Sequence, residues 1–243
     1  MADDGSIEHG HTSLEIAARL SGGPRVNYLR DWVYGGIDGA VTTFSIVAGV
    51  VGADLSARIV LILGAANLLA DGFSMAAGNY SATKAELDDY ERVRQMEERH
   101  IRLAPEGERE EIRQLFQAKG FEGADLERAV EVITSSTNHW VDMMMSEEHG
   151  MPAINRSPIL AGLATFAAFF ICGLVPLLPF VAGATADVTL SIFMTALVFF
   201  AIGSLKSRWS MAGWWWSGVE TLSIGLAAAT VAYAVGVLLK SIV

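Results

Sequence analysis

Long runs of apolar residues separated by short polar breaks occupy most of the chain. A helix needs about 20 mostly apolar residues to cross the hydrocarbon core of a bilayer. Five segments meet this requirement, at residues 32–53, 57–80, 159–182, 188–205 and 213–239. The alternation of apolar and polar residues that marks a half-buried strand appears nowhere in the sequence. The pattern therefore predicts an all-α, polytopic membrane protein with five transmembrane helices.

The one long polar break follows the second apolar segment and predicts a helical insert. Residues 84–102 are rich in charge and contain no Gly or Pro, so they should continue the second transmembrane helix out of the membrane. A second helix is expected from Pro105 to about Lys119, and a third from about Ala124 to His149. We expect four regions in all: an N-terminal tail at 1–31, transmembrane helices 1–2 at 32–83, a three-helix insert at 84–156, and transmembrane helices 3–5 at 157–243.

The composition agrees with a membrane protein that carries an acidic polar region. Charged residues make up 18% of the chain, against about 25% in a typical soluble domain. The net charge is −10 and the pI about 4.9, so the protein lacks the basic surface that a nucleic-acid partner requires. The single cysteine, Cys172, excludes an intramolecular disulfide and a Cys-x-x-Cys metal site.

Basic residues are distributed unequally between the two sides of the predicted membrane. With five spans, the tail, the insert and the loop at 206–212 lie on one side, which carries 15 Lys and Arg residues. The other side carries only Arg58 and Lys240. Because basic loops are retained in the cytoplasm, we expect the tail and the insert there. The small size and short tail favour the lipid bilayer of a bacterial inner membrane, or of a vacuole if the source is eukaryotic.

Asp38 lies within the first apolar segment, in the sequence Tyr34-Gly-Gly-Ile-Asp-Gly-Ala40. An acid inside a membrane span is costly, so it usually faces a protein interior and usually has a function. The three glycines around it let another backbone or an ion approach closely. The alternative is that Asp38 only marks the water interface near the start of the span. We favour the functional interpretation.

Asn67, Asp71 and Met75 recur at intervals of four residues in the second apolar segment. They therefore lie on one face of a helix. An amide oxygen, a carboxylate and a thioether along one line suit the path of a transition-metal ion, because thioethers select softer ions than oxygen ligands alone. The same residues also suit an ordinary helix-packing face. The spacing alone does not separate the two interpretations.

Glu220 lies one or two turns inside the fifth apolar segment. It follows Trp214-Trp-Trp216, a run typical of the aromatic belt at a membrane interface. Three roles are open to it: reaching the interface, pairing with Lys206 or Arg208, or relaying protons.

The insert contains groups of metal-ligating residue types at helical spacing. These are carboxylates, one imidazole and two thioethers, three or four residues apart within each group: Glu97, His100, Glu108, Glu111, Met144, Met145 and Glu148. Such spacing places the ligand atoms of each group on one helical face. If the helices pack together, the clustered carboxylates would repel one another and favour a divalent cation. The alternative is a solvated acidic surface with methionines in the core.

Three motifs in the chain resemble the vacuolar iron transporter family, also called the CCC-type transporters. They are Asp38-Gly-Ala-Val-Thr-Thr-Phe44, Ala70-Asp-Gly-Phe-Ser-Met-Ala-Ala-Gly-Asn-Tyr80 and Trp140-Val-Asp-Met-Met-Met145. Five spans with a helical insert after the second are also similar to the family. The similarity covers nearly everything from Trp32 onward.

The resemblance implies a homodimer that moves Fe2+ out of the cytoplasm in exchange for protons, with no enzymatic activity and no organic cofactor. It implies a pore at the dimer interface, lined by the first two spans of each protomer, with Asp38 and Met75 at the family's pore positions. It also implies that the insert binds metal through the seven residues given above. Asn67 and His100 stand where plant-type members carry glutamate. Asp71 is expected to supply the charge absent at Asn67, while His100 is expected to relax the choice of metal.

Other functions remain open at this point. In one of these alternatives the cargo is Mn2+ or a range of divalent ions, although the thioethers favour Fe2+ over Mn2+. In another, the protein is a membrane-anchored metal buffer or sensor without transport. A channel differs from an antiporter in that its metal flux does not respond to a pH gradient.

Overall fold

The computed structural model describes residues 10–21, 26–153, 155–181 and 188–242. Every regular element in these ranges is helical, which confirms the all-α prediction. Five helices are long and apolar enough to cross a membrane. In chain order the helices are α1 (Ser13–Ser21), α2 (Leu29–Gly52), α3 (Ala57–Leu103), α4 (Pro105–Ala118), α5 (Gly123–Thr134), α6 (Thr137–Glu147), α7 (Pro158–Leu174), α8 (Leu178–Val181), α9 (Val188–Lys206) and α10 (Trp214–Lys240).

Helix α2 is the centre of the membrane region and packs against α3, α7, α9 and α10. Its approach to α7 depends on residues without side chains, as expected where helices associate in lipid. A Cβ atom on Gly35 would collide with the carbonyl oxygen of Thr165, and one on Gly39 would collide with that of Phe169. A Cβ on Gly173 of α7 would in turn meet the Gly39 carbonyl oxygen at 2.7 Å. The two backbones are therefore in direct contact near Asp38.

Helix α3 is one continuous helix of 47 residues that begins as a membrane span and continues into the insert. At 1.5 Å per residue it is about 70 Å long, more than twice the thickness of the hydrocarbon core. This confirms the expectation that residues 84–102 extend the second span. The same helix therefore carries Asp71 in its first half and Glu97 in its second.

In the insert, α4 and α6 pack against the distal half of α3, and α5 packs against α4 and α6, around a separate apolar core. The expected single helix from Ala124 to His149 is wrong, because the chain breaks between α5 and α6. Ser136 at the break is extended, with φ −127° and ψ 123°. Ser135 Oγ donates a hydrogen bond to the Val132 carbonyl oxygen at 2.7 Å. Serine side chains that bond to nearby backbone compete with helix formation, which accounts for the break.

The third membrane span is also less regular than expected. After α7 the chain forms a 3-10 turn at Val175–Leu177 before the short helix α8. Pro176 and Pro179 lack the N–H group that a continuous α-helix would use, so the change of geometry follows from the sequence. The expected end of this span at Ala182 lies outside the described residues.

We predict that Gly39→Ala lowers the thermal unfolding midpoint of the detergent-solubilised protein, because the new methyl group forces α2 away from α7. Overpacking of this kind costs about 1–3 kcal/mol. Gly49→Ala on the same helix is the control, since a Cβ there lies at an ordinary 3.5 Å from the Ala232 carbonyl oxygen. Equal midpoints for the two variants would contradict the assigned backbone contact.

Candidate functional site

Three helices bring a group of acids and imidazoles together in the insert. Glu97 and His100 lie one turn apart on α3. The chain then reverses at Ala104, which places Glu108 in the first turn of α4 beside them. Glu148 and His149 follow α6 and approach from the other side. The helical spacing seen in the sequence thus produces a real cluster.

Glu97 is the residue that the two halves of this cluster share. His100 Nδ1 lies 3.5 Å from Glu108 Oε1 and 3.9 Å from Glu97 Oε1. On the other side, His149 Nε2 lies 3.0 Å from Glu97 Oε1. The group Glu97, His100 and Glu108 and the group Glu97, Glu148 and His149 each have their ligand atoms within 4.8 Å of one another. Both groups therefore have dimensions compatible with a bound metal ion.

The two central carboxylates are removed from water. Glu97 is 2% exposed and Glu108 6% exposed. One oxygen of each, Oε2, is buried without a hydrogen-bond partner in the described part of the chain. A buried polar group without a partner costs folding free energy, and a charged one costs more. A divalent cation between these oxygens would remove that cost.

The electrostatics of the cluster reflect the same crowding. Burial, together with repulsion from Glu111 and Glu97, raises the pKa of Glu108 to about 7. Burial also raises the pKa of Glu148, where the positive field of His149 acts in the opposite direction. A cation that displaces the proton on Glu108 would compete with protons near neutral pH.

The other predicted ligands lie around this cluster. Glu111 is exposed and lines, with Glu148, an open pocket of about 310 Å³. Met144 and Met145 are fully buried and pack in the apolar core of the insert with Ile112 and Val141. The structure thus gathers the acids and the imidazole, while the two methionines contribute to packing. Their role as ligands stays a prediction.

The predicted pore residues lie on the facing sides of α2 and α3 or on the surface next to them. Asp38 is half-buried and lies close enough to Asp71 for the two carboxylates to repel each other. Asn67 Nδ2 donates to Thr42 Oγ1 at 3.1 Å, which ties α3 to α2 one turn beyond Asp38. Asp71 itself is exposed on the outer surface of α3. No ion pair involving Asp38 or Asp71 occurs among the residues that the structure describes.

Met75 lies two turns further along α3 than Asn67. It lines an open pocket of about 440 Å³ between the start of α2 and the middle of α3. Asp31, Tyr34 and Asn79 also line this pocket. The stripe predicted from the sequence therefore runs from a contact with α2, past an exposed acid, to a polar pocket.

A polar network at the junction of insert and membrane was not identified from the sequence. Asp31 is 8% exposed, and both of its oxygens lie 2.7 Å from Arg156 Nη2. Asn79 Nδ2 donates to Asp31 Oδ1 at 2.9 Å and to Thr165 Oγ1 at 2.7 Å. These bonds join α2, α3 and the start of α7. The sequence did carry a signal for this network, because Asp31 and Arg156 are opposite charges at the starts of two spans on the same side.

Glu220 pairs with Lys206, which is one of the three roles that the sequence left open. Lys206 Nζ donates to Glu220 Oε2 at 2.8 Å, and both side chains remain partly exposed. The pair joins the end of α9 to α10. A role for Glu220 in proton relay stays a prediction.

Comparison with known proteins identifies what the chain is similar to. The sequence model described as "VIT family" matches residues 29–237. A vacuolar iron transporter of Toxoplasma gondii is 36% identical over 250 residues, which cover 95% of this chain and 83% of the relative. Vacuolar iron transporter 1 of rice, Oryza sativa subsp. japonica, is 32% identical (84% and 82% covered). Vacuolar iron transporter 1 of Arabidopsis thaliana is 31% identical (84% and 83% covered). These three relatives are eukaryotic, so they do not bear out the expectation of a bacterial protein.

We predict that the metal-free protein becomes less stable to heat as the pH rises from about 5 to 8. Glu108 has a pKa of about 7 in the folded protein, well above its ordinary value of 4.5. The folded state therefore binds more protons than the unfolded state between these values, and the free energy of unfolding falls as the pH rises through them. The midpoint of thermal unfolding in the presence of a chelator measures this.

Glu108→Gln should flatten this pH dependence, because the amide does not titrate. Glu106→Gln is the matched control, since Glu106 is an exposed residue in the same turn of α4. The assignment to Glu108 fails if Glu108→Gln retains the full slope of the unchanged protein.

Proposed function

The chain belongs to the VIT family, whose members are transporters and not enzymes, and from this premise we propose that it carries Fe2+ out of the cytoplasm in exchange for protons. The proposal is supported most by one observation. Asp38 and Asp71 are neighbouring acids in two apolar helices, with no cationic side chain paired to either in the part of the chain that is described. Acids held in that way in a membrane protein typically line a path for ions.

The proposed pore uses Asp38, Asn67, Asp71 and Met75. Carboxylate and amide oxygens replace part of the ion's hydration shell, and the thioether of Met75 favours a softer ion than Mg2+ or Ca2+. Asp71 compensates for the amide at Asn67, because it brings a carboxylate to the same helical face one turn later. Met75 lies in the polar pocket at the cytoplasmic end of the path in the orientation expected from the basic residues.

A homodimer completes this pore in the proposal. Asp71 is exposed on α3, and Asn67 and Met75 lie on the same helical face, one turn before it and one turn after it. Asp71 lies 14 residues from the start of α3 at Ala57, about 21 Å along the axis, and a carboxylate facing lipid at that depth would be costly. A second copy of α3 packed on the face that carries Asp71 would cover this carboxylate and bring two copies of each acid together.

Coupling to protons follows from competition for the carboxylates. Each acid holds either a proton or a share of the metal charge, and binding one disfavours the other. Alternating exposure of Asp38 and Asp71 to the two sides would then move metal and protons in opposite directions. Glu220 is a secondary candidate for carrying protons, and its bond to Lys206 would have to break when it does.

The insert captures the metal in the cytoplasm and supplies it to the pore. The buried, unpartnered oxygens of Glu97 and Glu108 support this role, and α3 links the cluster directly to the pocket at Met75. The vacuolar names of the relatives favour a vacuolar membrane. There, export from the cytoplasm means storage of iron in the vacuole.

We predict that Asp38→Asn lowers Fe2+ uptake into proteoliposomes by at least about tenfold. Loss of a residue that supports a metal ligand typically lowers metal affinity or activity about 10–100-fold, and loss of a ligand itself should cost no less. Asp54→Asn is the matched control. Asp54→Asn makes the same change of charge, but in an exposed loop, where Asp54 Oδ2 lies 2.9 Å from Lys240 Nζ. Uptake is followed with an internal metal-sensitive dye, with and without a pH gradient.

Four results of this assay would count against the proposal. Undiminished uptake in Asp38→Asn rejects the pore. Uptake that ignores the pH gradient indicates a channel. Metal binding without uptake in the unchanged protein indicates a membrane-anchored buffer or sensor, and preference for Mn2+ in direct competition changes the cargo.

We predict that His100→Glu tightens the binding of Mn2+ by the insert. A carboxylate adds a unit of negative charge about 4 Å from the ion, worth about 1 kcal/mol in a water-like dielectric and so about fivefold in affinity. Titration calorimetry on the detergent-solubilised protein measures this, and unchanged affinity speaks against a ligand position at residue 100.

A further inference from the structure

We propose that His149 is a metal ligand of the insert and that, with His100, it makes the cluster a mixed carboxylate and imidazole site that selects Zn2+-like and Fe2+-like ions over Mn2+. This inference rests on the proposed metal capture by the insert. It adds a residue outside the positions that the family resemblance assigns, and it assigns a preference to the site in place of the relaxed choice of metal expected from His100 alone.

The backbone around His149 holds the ring towards Glu97. The N–H groups of Glu148 and His149 both donate to the Met144 carbonyl oxygen, at 3.0 Å and 3.2 Å. Gly150 then has φ +64°, a left-handed conformation that glycine adopts at little cost. The N–H of Met151 returns to the Met145 carbonyl oxygen at 2.8 Å. His149 is therefore fixed at a helix end and does not lie on a free loop.

Two imidazoles converge on one carboxylate oxygen. His149 Nε2 lies 3.0 Å from Glu97 Oε1, and His100 Nδ1 lies 3.9 Å from the same atom. Glu148 Oε2 lies 3.7 Å from His149 Nε2. The side chain of His149 is 23% exposed, so an ion arriving from solvent can reach the ring. Small shifts would bring both nitrogens into the coordination shell of an ion next to Glu97.

Simple ion pairing does not account for this arrangement. A hydrogen bond from His149 satisfies only Oε1 of Glu97, while Oε2 of Glu97 and Oε2 of Glu108 stay buried without partners. Those two oxygens belong to side chains that are more than nine-tenths buried and point into the cluster. An ion bound by the imidazoles and the carboxylates together gives every one of these atoms a partner.

The ligand chemistry sets the preference. Imidazole suits Zn2+, Fe2+, Ni2+ and Cu2+, while carboxylates and carbonyl oxygens suit Mn2+. A cluster made only of acids would accept Mn2+ readily. Two imidazoles in the set shift the balance towards ions with high affinity for nitrogen.

The test compares Zn2+ and Mn2+ binding by the full-length protein in detergent. His149→Gln keeps a hydrogen-bond donor for Glu97 but removes the imidazole. We expect the affinity for Zn2+ to fall by at least about tenfold and that for Mn2+ to change by less than about threefold, since an amide oxygen is an acceptable ligand for Mn2+. His139→Gln, on the exposed side of α6, is the matched control and should leave both affinities unchanged.

Equal losses for both ions, or wild-type affinity for Zn2+ in His149→Gln, overturn the inference. X-ray absorption on the unchanged protein with one equivalent of Zn2+ gives an independent answer should the variant fail to fold. Two imidazoles in the shell support the inference, and one or none refutes it. Fe2+ uptake by the same protein after reconstitution into proteoliposomes is measured in parallel, because absent uptake rejects the proposed transport while leaving the binding result intact.

Discussion

Carboxylates whose oxygens are not all satisfied are the constraint on which the organisation of this protein depends. Glu97 and Glu108 are buried in the insert, and each keeps one oxygen without a hydrogen-bond partner in the described part of the chain. In the membrane region Asp38 is half-buried and Asp71 is exposed, and neither forms an ion pair among the described residues. Desolvated negative charges that repel one another destabilise the fold when nothing neutralises them. In the proposed function an ion or a proton visits both sites, which would explain why the protein retains such groups.

Asp31 shows what a purely structural acid looks like in the same molecule. It is as buried as Glu108, but Arg156 and Asn79 satisfy its oxygens, and the network joins α2, α3 and α7 where the insert returns to the membrane. The contrast matters because burial alone would not distinguish the two kinds of acid. The fully satisfied acid fixes the scaffold, and in the proposed function the acids that keep an unsatisfied oxygen bind the ion.

Much of the architecture followed from the sequence because its signals were long and local. Each membrane helix lies within a few residues of its apolar segment, and the charged continuation of α3 was expected because no Gly or Pro interrupts it. The break at Ser135 and Ser136 was missed, since it depends on serine side chains competing for backbone bonds inside an otherwise helical pattern. The convergence of His149 on Glu97, 52 residues away in the chain, was missed because His149 follows the end of a helix and helical spacing does not apply there. Packing likewise decided that Met144 and Met145 lie in the core of the insert.

Diffraction from crystals of the full-length protein grown with Zn2+, recorded at the zinc absorption edge, tests most directly whether these carboxylates bind a divalent ion. We expect an anomalous peak within about 2.0–2.2 Å of oxygens from Glu97 and Glu108. We expect a second peak between two copies of Asp38 on a twofold axis. The contradicting result is a crystal in which zinc is bound elsewhere, neither place has a peak, and Asp38 and Asp71 are directed towards lipid.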